Sequence, residues 1–178
     1  MNPPSIGDGL SAGWNTLKAN PGGLAVPFLC ALVLGFIPVV GGFLALPGLM
    51  LVSLKALRGE TPEPKDGFVG FEAIVDNLIL GVLQIVGLIA CCVGVYVTQA
   101  LFIPGTCLVV DKRMGWSDAK DKCMEAIWPN ILPWTIYTLV MGLVATAGIL
   151  ACVVGIVVTL PIASIGLAYA YEQTLSRS

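Results

Sequence analysis

Three acidic residues at helical spacing are the first candidates for chemistry in this sequence. Asp118, Asp121 and Glu125 would share one face of a helix, where carboxylates could hold a hard cation. Lys120 and Lys122 neutralise this neighbourhood, so we expect no metal site there. The chain contains no histidine, which removes the commonest general base and zinc ligand. We therefore expect no catalytic residue, no metal and no cofactor.

The remaining reactive or polar residue types favour packing over catalysis. The GFVGFE segment lacks the lysine and the preceding strand of a phosphate-binding loop. Uncharged polar residues inside apolar runs, such as Gln84, Tyr96 and Thr138, favour hydrogen bonds between helices, with a pore-lining role as the alternative. None of the cysteines forms a CxxC pair, and we interpret them as small packing residues: Cys30, Cys91, Cys92, Cys107, Cys123 and Cys152.

The composition predicts the type of secondary structure on which these residues lie. Hydrophobic residues make up 57% and charged residues 11% of the 178 residues, whereas a soluble domain has about 25% charged residues. The mean hydropathy is +0.91. We predict an all-α integral membrane protein. The net charge of −2 offers no basic surplus, so we expect no nucleic-acid partner.

Three stretches carry no charged residue: 19–54, 77–110 and 126–171. Each is too long for one upright crossing of about 20 residues and suits two. Residues that break helices lie near their middles: Pro38, Gly41, Gly42, Gly94, Gly148 and Gly155. We predict three tandem helical hairpins. They make six spans, or re-entrant legs in the first two, which leave about 16 residues per leg.

An even number of crossings places all charged residues on one side of the membrane. All nine Lys and Arg residues then lie on that side, which the positive-inside rule makes cytoplasmic. We therefore expect both termini in the cytoplasm.

Two sets of residues recur along the chain and predict a threefold internal repeat. One set is three evenly spaced prolines and the other is three asparagines that precede them: Pro47, Pro104, Pro161, Asn20, Asn77 and Asn130. The spacing gives units at about 5–60, 66–115 and 116–173 within a single membrane domain, 1–178.

These anchors have expected roles. We interpret each asparagine as a cap whose side-chain oxygen accepts a free N–H of the following helix. A polar ring at the mouth of a pathway is the alternative. Each proline frees a backbone carbonyl that needs a partner in lipid. The proline-bearing legs should therefore face inward and adjoin one another.

A short amphipathic segment precedes each asparagine. Apolar residues recur at helical spacing in three places: Ile6, Leu10, Trp14 and Leu17; Phe68, Phe71 and Val75; Trp116, Ala119, Cys123 and Ile127. We predict helices in the cytoplasmic interface, with Trp14, Phe71 and Trp116 at the level of the headgroups. Packing on neighbouring protein is an alternative that does not exclude this.

One resemblance supports the membrane interpretation. A proline-bearing leg followed by RGE, an acidic loop and DGFVGFE resembles a broad group of small polytopic bacterial membrane proteins of unassigned function. It is similar to the membrane domain that precedes some glycerophosphodiester phosphodiesterases. The resemblance implies the bacterial cytoplasmic (inner) membrane and brings no catalytic residues.

These observations favour a non-enzymatic function. We expect an integral membrane scaffold or accessory subunit, with membrane lipid and either further copies of itself or other membrane-protein subunits as partners. The alternative is a channel or carrier for a small neutral or hydrophobic solute, because broken helices and repeats are common in transporters. The repeats here share one orientation, however, and give no inverted pair.

Overall fold

The chain is all helical, as its composition predicts. The computed structural model describes residues 3–35, 41–89, 91–150 and 152–176, and this part contains helices and no strand. The α-helices are α1 (Ile6–Ala19), α2 (Pro21–Gly35), α3 (Gly41–Leu57), α4 (Ile74–Ile89), α5 (Cys91–Lys112), α6 (Trp116–Ile127), α7 (Ile131–Leu150) and α8 (Cys152–Thr174). A 3₁₀ helix spans Pro64–Phe71, and a 3₁₀ turn at Trp128–Asn130 joins α6 to α7.

The order of elements recurs three times as a short helix, a first leg and a proline-bearing second leg. The first set is α1, α2 and α3. The second is the 3₁₀ helix, α4 and α5. The third is α6, α7 and α8. In each set the two legs pack against each other, which makes three helical hairpins.

Leg lengths differ between the hairpins. The legs α2 and α3 have 15 and 17 residues, whereas α7 and α8 have 20 and 23. At about 1.5 Å per residue, the first pair spans roughly 22–26 Å and the last roughly 30–35 Å. The first hairpin is therefore shorter than the last, as the sequence predicts. In the second hairpin α4 has 16 residues, as predicted, but α5 has 22 and is longer than predicted.

The second and third hairpins divide near Gly94, Gly148 and Gly155, as predicted, but not at the glycines themselves. These glycines lie inside α5, α7 and α8. A glycine in a helix interior costs about 1 kcal/mol relative to alanine. An unpaired backbone group in apolar surroundings costs several kcal/mol, so the helix continues through the glycine. Gly41 and Gly42 begin α3, and Pro38 lies outside the described residues.

The three proline-bearing helices α3, α5 and α8 contact one another and form an inner group. Pro47, Pro104 and Pro161 are all buried, as expected of legs that face inward. The largest apolar cluster joins fully buried side chains from all three helices: Met50, Leu54, Ala100, Cys107, Leu108, Ala168 and Tyr171. The first legs α2, α4 and α7 pair with these helices from outside.

Each short helix packs on the proline-bearing helix of another set. The 3₁₀ helix packs on α3, α6 packs on α5, and α1 packs on α8. The last contact joins the first and third sets. The three sets therefore form a closed ring. The short helix of the second set packs on the first set, that of the third set packs on the second, and that of the first set packs on the third.

Small residues make these contacts possible. A side chain added at Gly13 of α1 would place its Cβ atom 2.5 Å from the carbonyl oxygen of Ile162 in α8. A Cβ atom at Gly70 would similarly collide with the carbonyl oxygen of Leu44 in α3. In the third contact, the sulfur atom of Cys123 in α6 would lie 3.5 Å from a Cβ atom at Gly105 in α5. Gly13, Gly70 and Cys123 each stand seven residues before an asparagine anchor.

Two helical stretches of the described chain are long and apolar enough to cross a membrane, judged by length and composition. They are Gly94–Lys112, within α5, and Trp116–Ala147, which runs from α6 into α7. Shorter apolar stretches lie at Pro21–Ala31, Leu44–Leu57 and Ile74–Gln84.

Candidate functional site

The outer legs α2, α4 and α7 expose large apolar side chains. Val33 on α2 is 61% exposed, Val75 on α4 is 64% exposed, and Leu132 on α7 is 69% exposed. Further members of this outer band recur at intervals of three to seven residues: Val26, Leu29, Leu78, Val82, Ile136 and Leu143. Monomeric soluble proteins rarely expose contiguous apolar surface on this scale. The outer legs therefore present an apolar rather than a charged surface.

The inner helices are joined by an arginine where α3, α5 and α8 end. Arg58 follows α3, and its Nη2 atom donates to Asp111 Oδ2 at 2.9 Å and to Glu172 Oε2 at 2.8 Å. Its Nη1 atom donates to the other oxygen of Asp111, which makes that pair bidentate. Tyr171 Oη also donates to Asp111, at 3.0 Å. We call Arg58, Asp111, Tyr171 and Glu172 the arginine clamp.

The electrostatics of the clamp favour the charged arginine. Hydrogen bonds to Asp111 and Glu172 raise the pKa of Arg58 further above its usual value, so it stays protonated at any working pH. The carboxyl ends of helices carry partial negative charge, and the arginine stands near the ends of three. The clamp brings together three of the four charged segments of the sequence, as hairpin topology predicts.

A second ion pair fastens the 3₁₀ helix to α3. Lys55 Nζ donates to Asp66 Oδ1 at 2.8 Å, and the backbone N–H of Glu63 donates to Asp66 Oδ2 at 2.7 Å. Asp66 is buried, so both of its oxygens must be paired to offset the lost hydration. This acid has a structural role.

The three asparagine anchors differ in geometry. Asn20 is a cap, because its Oδ1 accepts the N–H of Gly23 in the first turn of α2 at 3.0 Å. Asn77 is not a cap, because α4 begins three residues earlier at Ile74 and its own N–H already bonds within the chain. Its side chain is buried, and its Oδ1 has no hydrogen-bond partner among the described residues. Asn130 closes the 3₁₀ turn before α7.

The three predicted interfacial faces also differ. On α1, Trp14 is exposed with Lys18 Nζ 4.6 Å from its ring centroid. On the 3₁₀ helix, Phe71 is exposed. On α6, Trp116 is half-buried with Lys120 Nζ 5.9 Å from its ring centroid.

The face of α6 packs on protein, whereas the face of the 3₁₀ helix does not. Ala119, Cys123 and Ile127 are fully buried. Phe68, Phe71 and Val75 are exposed instead, because Gly67 and Gly70 bring the opposite side of their segment against α2 and α3. The alternative of packing on neighbouring protein is therefore correct for α6.

Polar groups inside the helices mostly bond to backbone carbonyls. Tyr137 Oη donates to the carbonyl oxygen of Gly166 at 2.7 Å and joins α7 to α8. Thr98 donates across the second hairpin to the carbonyl oxygen of Gln84 at 3.1 Å. Thr106 is buried and donates to the carbonyl oxygen four residues before it. The bonds of Tyr137 and Thr98 join two helices, as predicted, whereas the bond of Thr106 lies within α5.

Two cavities of similar volume occupy corresponding places in the first and second sets. One, of about 310 Å³, lies between the end of α1 and the segment after α3, and its polar lining includes Asn15, Asn20 and Glu60. The other, of about 300 Å³, lies between the start of α4 and the end of α5 and is lined by Glu72, Asp76 and Arg113 among others. We call the second one the charged cavity.

A third cavity has a different character. It has a volume of about 440 Å³ and lies between the segment before α1 and the start of α7. Its lining is largely apolar and includes Ile6, Leu132 and Ile136.

The arginine clamp and one exposed aromatic residue are not among the residues predicted from the sequence. A signal for the clamp was present, because Arg58 stands eleven residues after Pro47 and Glu172 stands eleven residues after Pro161. Opposite charges at corresponding positions of two units indicate a contact near a common axis. Trp128, in the turn after α6, is 56% exposed, and its position two residues before Asn130 was the available signal.

Comparison of the chain with known protein families, with characterised proteins and with solved structures finds no match. The resemblance to polytopic bacterial membrane proteins therefore stays a prediction.

Proposed function

We propose that the chain is a non-enzymatic, multi-pass protein of the bacterial cytoplasmic membrane that acts as a scaffold or accessory subunit. The observation that carries this proposal is the outer band of exposed apolar side chains on α2, α4 and α7, around a buried inner group of helices. A large exposed apolar surface is unfavourable in water but favourable in lipid. Such a surface around a packed core therefore fits a protein embedded in a membrane. The six legs would then be membrane spans or re-entrant legs.

The packed centre favours a scaffold over a channel. Side chains from α3, α5 and α8 meet with no exposure at Leu54, Cys107, Leu108 and Ala168. Hydroxyl groups along the same helices bond to backbone carbonyls, as Thr106 and Ser164 do. A pathway for a hydrated solute would need polar groups free to replace that hydration.

The closed ring of sets supports the proposed threefold repeat at 5–60, 66–115 and 116–173. Each short helix uses a small residue to approach a neighbouring set, and the three small residues occupy corresponding positions. In this proposal the arginine clamp lies near the pseudo-threefold axis on the cytoplasmic side. The outer band then faces lipid, further copies of the chain or other membrane subunits.

Topology is tested with single cysteines in a cysteine-free protein. Cysteines at positions 61 and 115 should both react with a membrane-impermeant maleimide from the cytoplasmic side only. A cysteine at position 94, near the opposite ends of the second pair of legs, should not react from that side. Reaction of positions 61 and 115 from opposite sides would refute the three-hairpin arrangement.

Function is tested by purification in mild detergent and by reconstitution. A scaffold or accessory subunit should purify as a defined oligomer or with a stoichiometric membrane-protein partner. Liposomes containing the chain should show no more flux of a neutral solute such as glycerol than protein-free liposomes. Glycerol flux that rises in proportion to the amount of protein would instead establish the channel alternative.

A further inference from the structure

The charged cavity combines charges of both signs with an apolar wall. Glu72 lies between the 3₁₀ helix and α4, Asp76 lies in the first turn of α4, and Arg113 lies directly after α5. Val109 and Met114 contribute apolar lining. The cavity stands at the end of the helices where the charged residues collect. In the proposed membrane orientation, that is the level of the lipid headgroups.

Arg113 occupies a backbone conformation that its side chain disfavours. Its φ of 51° makes it the one non-glycine residue with positive φ in the described part of the chain. At the corresponding turn after α3, the chain uses Gly59 with a φ of 77°. A residue with a Cβ atom is strained in this region, and glycine is the usual choice at the end of a helix. The arginine is therefore not explained by the turn and points to a use for its guanidinium group.

The charges around the cavity are only loosely paired with one another. Arg113 Nη2 lies 3.5 Å from Glu72 Oε2, and both side chains are largely exposed. Asp76 uses one oxygen to accept the backbone N–H of Trp116 at 3.0 Å. A long, exposed ion pair contributes little stability, and a ligand with complementary charges can replace it.

We propose that the charged cavity binds the headgroup of a zwitterionic phospholipid that carries a primary ammonium group. Glu72 and Asp76 would receive the ammonium group, and Arg113 would pair with the phosphate, as arginine does in many phosphate sites. The exposed apolar side chains of Phe71, Ile74 and Val75 lie on the same segment as the two acids and would contact the acyl chains. This inference rests on the proposed membrane location.

The binding test uses the full chain purified in detergent, with short-chain phosphatidylethanolamine and phosphatidylglycerol as probes. Native mass spectrometry would count bound lipids over a titration. We expect phosphatidylethanolamine to half-saturate the protein at a concentration at least fivefold lower than phosphatidylglycerol, which lacks the ammonium group. Equal half-saturation by the two lipids would overturn the proposal.

Variants assign the binding to this cavity. The double variant Glu72→Gln, Asp76→Asn should weaken phosphatidylethanolamine binding at least fivefold and should not weaken phosphatidylglycerol binding, because that anionic lipid loses only repulsion from the two carboxylates. The asparagine keeps an oxygen that can accept the N–H of Trp116. Glu60→Gln in the corresponding cavity of the first set is the matched control and should change neither. Unchanged phosphatidylethanolamine binding in the double variant would refute the site.

Arg113→Gly keeps the test decisive if the double variant fails to fold. Glycine relieves the backbone strain, so the thermal unfolding midpoint of the variant should equal or exceed that of the wild type. Both lipids should nevertheless bind at least threefold more weakly, because each carries the phosphate. A variant that binds both lipids as the wild type does would contradict the assignment of the phosphate to Arg113.

Two further experiments complete the test. The first asks whether the site binds an intact lipid or the free headgroup, and the second tests the membrane location separately. Soluble phosphoethanolamine should bind at least tenfold more weakly than the lipid, and equal affinity would overturn the lipid assignment. Cell fractionation tests the membrane location independently. Recovery of the chain in the soluble fraction would refute the membrane proposal whatever the lipid titrations give.

Discussion

Replacement of Gly13 by alanine tests the closed ring at the contact between α1 and α8. A Cβ atom at this position would lie 2.5 Å from the carbonyl oxygen of Ile162, whereas ordinary contacts begin near 3.4 Å. The acceptor is backbone and has no rotamer to change, so the helices must separate by roughly 1 Å. The two helices also meet one turn earlier on α1, where a Cβ atom added to Gly166 of α8 would lie 3.3 Å from the carbonyl oxygen of Gly9. Separation of the helices would loosen that contact as well.

Two opposing terms set the size of the effect. Overpacking costs about 1–3 kcal/mol, and alanine gains up to about 1 kcal/mol over glycine in helix propensity. With the full gain subtracted, we expect Gly13→Ala to lower the free energy of unfolding by up to about 2 kcal/mol. Gly7→Ala on the same helix is the matched control. Its Cβ atom would have a nearest neighbour at 3.8 Å, so only the favourable term of up to about 1 kcal/mol remains.

The assay is unfolding in mixed micelles by increasing fractions of sodium dodecyl sulfate, followed by circular dichroism. The midpoint should shift down for Gly13→Ala and should stay or shift up for Gly7→Ala. Equal stabilisation by both substitutions would show that α1 does not rest on α8, and it would refute the closed ring.

Three further predictions follow from contacts already described. A double-mutant cycle on Arg58→Met and Asp111→Asn should give a coupling energy of about 1 kcal/mol that falls with added salt; zero coupling would exclude the arginine clamp as a stabilising contact. Tyr137→Phe should lower the free energy of unfolding by about 0.5–1.5 kcal/mol, because its buried bond to a carbonyl of α8 is lost, and a variant as stable as the wild type would contradict that bond. Lipids brominated near the headgroup should quench the fluorescence of a variant that retains only Trp14 more than one that retains only Trp134, which is buried; equal quenching would place both tryptophans in the same environment.

The hairpins were predictable because their signals are local. Stretches without charge, and prolines at even spacing, are properties of neighbouring residues, and α3, α5 and α8 contain those prolines as expected. The inner position of these helices follows from the same signal, because a freed carbonyl needs partners.

Contacts between distant segments were not predictable from local patterns. The segment at Phe68 and Phe71 has helical spacing, but Gly67 and Gly70 press against α2 and α3, and the segment becomes a 3₁₀ helix with its aromatic side chains exposed. Asn77 lost its expected capping role for a related reason, because α4 starts ahead of it.

The candidate site likewise contains features that follow from local sequence patterns and features that depend on contacts between distant segments. Trp14 is exposed on α1, a helix that local spacing predicts. The arginine clamp needs three helix ends to meet, and the charged cavity needs the start of α4 beside the end of α5. Neither proximity is encoded within one segment of the chain.

The contact between α1 and α8 has a consequence for biosynthesis. Gly13 leaves the ribosome roughly 150 residues before Ile162, which at about 5–20 residues per second is a delay of roughly 10–30 s. During that interval α1 lacks α8, the helix with which it makes most of its contacts, while the 3₁₀ helix and α6 each follow their own partners within a short stretch of chain. In the proposed membrane location, the nascent protein would keep its first helix available at the membrane surface until the last hairpin has been inserted. The N-terminal helix would then be the last to dock during assembly.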